Sequence, residues 1–250
     1  MKPHIFLFAL LLSFSTPLFA ATQTDYELYL KSGDRSPKWN DLVESGFESF
    51  DSGNLPTASI FLERAYNAGC RDALLLFRLG LFRESRGQYK EAAALLKLSA
   101  EKIAKQYPSH PLAKGIHEHL GRELFQSNDF DGALSEFKKA LEYSPDNFMM
   151  LFMSGQILRS KKETDAAKIM FEKALQAKPP AGIPYNPQLK VVSELMAIAF
   201  EQKDFDTCLL YADKILSVSP QDATALSYKK KSQEAKLKQR EREVIEKIVK

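Results

Sequence analysis

The feature that most constrains this chain is a recurrence. Between Gly115 and Asn147 the stretch GIHEHLGRELFQSNDFDGALSEFKKALEYSPDN reads as two short amphipathic helices joined by a turn. Ile116, Leu120, Gly121, Leu124 and Phe125 fall at the three-and-four spacing of a helical stripe, and Ala133, Leu134, Phe137, Ala140 and Leu141 do the same in the second half. Ser127, Asn128 and Asp129 punctuate the middle. Pro145, Asp146 and Asn147 close the unit, because proline cannot continue a helix while Asp and Asn suit the cap of the next one. Four more copies follow the same marks. The first helix is marked at Gly46, Gly80, Gly121, Gly155 and Met196, the second at Ala58, Ala92, Ala133, Ala167 and Cys208, and both series step by 34, 41, 34 and 41. A large residue stands four places after each second mark (Leu62, Leu96, Phe137, Phe171), with Ala212 departing. The physical role is steric: Gly or Ala at a helix crossing lets the axes approach to roughly 8 Å, and the large neighbour fills the groove.

With the Leu79-Gly80 and Leu120-Gly121 pairs and the closing prolines Pro145, Pro179 and Pro220, this pattern resembles the tetratricopeptide repeat family over residues 39–220. An unrelated helical bundle has no reason to hold a register of 34. Departures are Cys70 where a closing proline is expected, and Met196 and Cys208 where Gly and Ala are expected. The resemblance implies an all-α fold, a right-handed α-solenoid of five helix-turn-helix repeats (about 39–70, 71–110, 111–146, 147–180 and 186–220) with a charged C-terminal capping helix over 221–250.

Residues 1–20 carry one lysine, an apolar run from Ile5 to Phe14, and then Ser15, Thr16, Pro17 and the small-residue end Leu18-Phe19-Ala20, which is the layout of a secretory signal peptide cleaved after Ala20. The run is shorter than the roughly 20 residues of a spanning helix, so no membrane span is expected in the mature chain; an uncleaved anchor is the alternative. Export places the protein in the periplasm or outside the cell. The formal net charge of +3 falls by one when Lys2 is removed, so the mature chain argues for no strongly charged partner. Residues 21–38 form a polar leader whose brief stripe, Tyr26, Leu28 and Leu30, could cap the first repeat.

Two insertions lengthen the period. After Ser99 the stripe continues through Ile103 and Tyr107, predicting a second helix about two turns longer, ended by Pro108-Ser109-His110-Pro111. After the fourth repeat, Pro179, Pro180, Pro184 and Pro187 predict a stiff exposed loop. From Gln221 onward one charged helix has a thin apolar stripe at Ala223, Leu226, Lys230, Leu237, Val244 and Ile248, and residues 229–250 hold nine Lys or Arg against four Glu. It reads as a solubilising cap; oligomerisation through Leu237, Val244 and Ile248, or a basic arm, stays open.

Residues for chemistry are sparse. His117 and His119 are two apart on one helix and point about 200° away from each other, unlike a helical zinc site. There is no Gly-rich phosphate loop, nucleophile elbow or CxxC pair, so no cofactor, metal or catalytic residue is assigned, and nucleic acid is not expected as a partner. Cys70 and Cys208 lie four repeats apart and cannot pair in a stack where each repeat touches its neighbours; Cys70 is a free turn cysteine, a partner in an intermolecular disulfide or a reactive thiol. The expected function is a non-enzymatic protein-interaction scaffold of the cell envelope. The alternative is a subunit of an exported complex, or an enzyme with an unrecognised site. The family's geometry, in which first helices line the concave side, implies a groove for an apolar or amphipathic segment at Phe47, Phe50, Phe77, Leu81, Arg122, Phe125, Phe152, Arg159 and Phe200, anchored by Phe47 and Phe77 and oriented by the two arginines.

Overall fold

A computed structural model describes residues 24–182 and 186–249. The signal peptide expected over 1–20 and the centre of the proline-rich loop, 183–185, lie outside the described residues. Those described form twelve helices and no strand, an all-α helical repeat fold. The chain divides into two compact units, one ending at Leu75 and one beginning at Leu76.

The first unit holds α1 (Asp25–Ser32), α2 (Asn40–Asp51), α3 (Leu55–Asn67) and the opening turn of α4 (Ala73–Ser85). The second holds the rest of α4, α5 (Tyr89–Gln106), α6 (Leu112–Gln126), α7 (Phe130–Tyr143), α8 (Phe148–Ser160), α9 (Thr164–Gln176), α10 (Pro187–Glu201), α11 (Phe205–Val218) and α12 (Ala223–Val249). Helix α5, at 18 residues, runs on through Ile103, which is buried together with Tyr107.

Each helix pair is joined by the same turn. Gly53, Gly87, Asn128, Lys162 and Lys203 all have φ between 61° and 80°. The N–H of the next residue then reaches back to a carbonyl five positions earlier: Asn54 to Ser49, Gln88 to Arg83, Asp129 to Leu124, Glu163 to Leu158 and Asp204 to Ala199, at 2.8–2.9 Å. This bond satisfies a carbonyl that the helix end would otherwise leave open. Three of the residues after the turn also cap the next helix through their side chains: Asn54 accepts from the Thr57 N–H, Asp129 from Gly132 and Asp204 from Thr207.

Within each pair the small mark faces the large one. A Cβ added to Gly46 would lie 2.5 Å from Leu62 Cδ2, one on Gly80 2.9 Å from Leu96, one on Gly121 2.5 Å from Phe137 and one on Gly155 2.6 Å from Phe171. The fifth pair reverses the arrangement. Met196 stands at the glycine position and Ala212 at the large one, and both are fully buried in one cluster with Cys208. The two departures noted in the sequence thus compensate each other, since total volume at a crossing matters more than which helix supplies it.

The leader is part of the first unit's core. Thr24 and Glu27 form a reciprocal capping box that starts α1. Tyr29 is fully buried with its ring 5.7 Å from Phe47, and its hydroxyl donates to the Asp34 carbonyl at 3.1 Å. The same carbonyl accepts Trp39 Nε1 at 2.7 Å. The Asp34 carboxylate accepts the Arg71 N–H at 3.2 Å, while Asp72 accepts the Asp34 N–H at 3.1 Å and caps α4 through Leu74 N–H. Tyr29, not the expected Tyr26, Leu28 or Leu30, makes the seal: Tyr26 and Leu28 are half-buried and Leu30 exposed.

The C-terminal stripe packs differently from its sequence reading. Ala225 and Ser232 are the buried residues of α12, and Tyr228 stacks edge-on against Phe200. Leu226, Leu237, Val244 and Ile248 are all exposed. Lys229 pairs with Asp213 and Lys236 with Asp206. No described helix is long and apolar enough to cross a membrane.

Candidate partner-binding face

The sequence places the candidate residues on successive first helices, α2, α4, α6, α8 and α10. In the first unit, Phe47 is fully buried beneath Tyr29, and Phe50 is half-buried. Phe47 is therefore a core side chain here, because the leader occupies the surface that the expected groove would have used.

In the second unit Phe77 is also buried. His119 meets its ring edge-on at 5.1 Å, and the Arg78 guanidinium lies over it at 5.3 Å. Arg122 donates to Glu84 at 3.1 Å and lies 3.3 Å from His119 Nδ1. Burial first, and then the Arg122 and Arg78 charges, depress His119 to about 3, so the ring is neutral. Glu123 is buried behind this pair and shares a hydrogen bond with the Glu84 carboxyl, and its Oε2 has no partner. Burial, then the Glu84 charge, raises it to about 8, so it is protonated at neutral pH. This cluster closes the α4–α6 end of the face. Leu81 is half-buried.

The α6–α8–α10 end is more open. Phe125, Phe152, Gln156, Ala197 and Phe200 are each half-buried. Phe125 packs on Phe130 and Phe200 on Phe205, both at 5.7 Å, so an aromatic at the end of the first helix braces the start of the second. Phe152 stacks on Phe148 at 6.1 Å and leans on Phe171 at 5.8 Å. Arg159 is engaged rather than free: it donates to both oxygens of Glu201, at 2.6 and 2.8 Å, and lies 4.0 Å from Glu194. The forked contact holds Glu201 below its usual carboxylate range, while burial raises Glu194 despite Arg159. Asn147 ties α8 to α6 by donating to Glu118 at 3.1 Å. The two arginines thus join neighbouring first helices.

The cysteines and the histidine pair are structural. Cys70 is buried with its thiol pushed up to about 12, chiefly by burial, and is no reactive thiol. Cys208 is buried and accepts a hydrogen bond from Ser232 Oγ at 3.2 Å. His117 pairs with Glu136 at 2.6 Å, away from His119.

Paired helices repeated in one register, with aromatic and charged side chains on the first helix of each pair, define a helical repeat protein. Residues 119–182 match the tetratricopeptide repeat family. That stretch carries tetratricopeptide repeats, and the helix pairs on both sides of it repeat the same fold. Solved structures with this fold include YrrB, described as a TPR protein with an unusual peptide-binding site, at 17% identity and a TM-score of 0.59 over 77% of this chain and 92% of that one. MamA (41-end) from Desulfovibrio magneticus RS-1 matches at 16% identity and 0.54, over 75% of this chain and 99% of that one. The C-terminal part of a TPR repeat-containing protein from Cytophaga hutchinsonii matches at 17% and 0.57, over 76% and 73%. At these identities the likeness is one of fold. No curated protein matches the sequence.

Proposed function

We propose that this protein is a non-enzymatic interaction scaffold, exported to the cell envelope, that holds an apolar or amphipathic segment of a partner on the α6–α8–α10 face. The observation that carries the reading is the row of half-buried residues Phe125, Phe152, Gln156, Ala197 and Phe200, bordered by the Arg159–Glu201 pair. Half-exposed aromatics held rigid by their neighbours lose little entropy on binding, which suits them as anchors. Phe47 and Phe77 drop out as anchors because both are already buried. The fold likeness to YrrB, a peptide-binding protein of the same family, supports a peptide ligand. Export rests on residues 1–20.

The perturbed groups Glu123 and His119 do not favour the enzyme alternative. Each is accounted for by packing between α4 and α6, and Glu123 is sealed from solvent. The test of the binding face is Ala197→Glu, which puts a charge in its middle without touching an anchor. Partner recovered from envelope fractions with a tagged protein should fall at least about tenfold, the loss expected when a charge is left without a partner in an apolar contact, and the melting curve should stay near that of the parent. Undiminished recovery by a folded Ala197→Glu protein overturns the assignment of the face, and recovery of the tagged protein in the cytosol with residues 1–20 intact overturns export.

A further inference from the structure

Helix α12 has two faces, and the fold uses one of them. Ala225 and Ser232 are buried, Lys229 and Lys236 pair with Asp213 and Asp206, and Gln239, Arg240 and Glu243 line a hollow with Lys203–Asp206, Arg240 standing at the border of the two faces. The other face carries Leu237, Val244, Ile245, Ile248 and Val249, all between 55% and 80% exposed. At about 100° per residue these side chains make one stripe, with Arg240 and Lys247 on one flank, Arg242 on the other and Lys238 between Ile245 and Val249. Glu243 and Glu246 fall on the opposite side, and Glu241 is the one acid within the stripe.

Two occupants could cover such a stripe. A second copy would have to pair through 13 residues, about 18 Å of helix, where a lasting two-stranded coiled coil needs three to four heptads and a stable interface roughly 1,200 Å². A lipid surface needs no length match: it offers a continuous apolar layer under a sheet of charge. The flanking cations face the headgroup level there while Glu243, at the hollow, and Glu246 lie on the side turned away from it, which is the layout of a helix lying in an anionic interface. We propose that residues 237–249 dock on an anionic membrane surface, with Leu237, Val244, Ile245 and Ile248 entering the acyl boundary.

The test uses the chain beginning at Ala21, which keeps every residue the structure describes and removes the apolar run at 5–14. Co-sedimentation is measured with phosphatidylglycerol vesicles and with phosphatidylcholine vesicles. The parent should sediment with the first, not the second, and raised salt should weaken it. The double variant Ile245→Ser/Ile248→Ser should partition at least about tenfold less, since two buried branched side chains are removed, with an unchanged melting curve. Glu241→Gln should partition severalfold more. The inference is overturned if the parent ignores phosphatidylglycerol, if it binds both lipids equally, if the double variant binds like the parent, or if light scattering finds a dimer that the double variant abolishes while lipid binding is absent.

Discussion

The leader end and the C-terminal end of this chain treat their apolar residues in opposite ways. Helix α1 has eight residues, too few to persist alone, yet its Tyr29 is fully buried on Phe47 and tied through Asp34 to Trp39, Arg71 and Asp72. Helix α12 has 27 residues and buries two of them, leaving an apolar stripe in solvent beyond the point where it packs. A repeat array must hide the outer face of its terminal repeats. The short segment does so with one aromatic and a hydrogen-bonded loop, whereas the long one does so in its first half and carries a second surface in the other. The difference teaches that length and exposure of a terminal segment do not track each other: a polar leader can be core, and a long helix can be mostly surface.

The largest effect should come from breaking the closed end. Tyr29→Ala removes a buried aromatic and leaves the Asp34 carbonyl with one donor fewer, so it should cost about 3–5 kcal/mol in urea or guanidinium unfolding. A cost near zero would mean that the leader is not core. An intermediate effect should come from the middle of the array, where it supplies a reference for both ends. Glu123 is raised to about 8 from an ordinary 4.5, so the folded state holds its proton more tightly than the unfolded chain does. The stability this contributes is fully present below about pH 4.5 and is lost as pH rises to about 8, with a slope of up to about 1.4 kcal/mol per pH unit. Glu123→Gln should flatten that alkaline decline, as read from unfolding free energies across this range. Glu136 and Glu201, both held low, act with the opposite sign, their contribution being lost as pH falls below the ordinary carboxylate range. The smallest effect belongs to the open end: Leu237→Ser should change stability by less than about 0.5 kcal/mol, and a larger loss would show that the stripe is already covered.

How far the sequence carries depends on what each residue faces. The repeat register was legible because a glycine and a large residue 16 positions later form a steric pair, and four of the five pairs keep that order. Even the exception, Met196 with Ala212, holds the spacing. A second register went unread: the left-handed turn position steps by the same 34 and 41, but glycine fills it only at Gly53 and Gly87, while Asn128, Lys162 and Lys203 give no such signal. For the partner face, the rows of first-helix residues followed from the repeat alone. Which of them are covered did not. Phe47 and Phe77 look like Phe152 in the sequence, and burial by Tyr29 and His119 separates them. Arg122 and Arg159 likewise looked available, and their partners Glu84 and Glu201 sit 38 and 42 residues away. In α12 the apolar positions were visible, but periodicity cannot say which of two faces meets the protein.

Hydrogen exchange of the chain beginning at Ala21, resolved by mass spectrometry, tests the contrast between the two ends most directly. Amides of α1 and α2 should exchange as slowly as those of the α6–α7 pair, since opening them requires exposing Tyr29 and Phe47, while residues 237–249 should exchange fastest among the helices. Exchange of α1 as rapid as that of residues 237–249 would contradict the account, because the leader would then be a loose tail and the first repeat's aromatic face would be free.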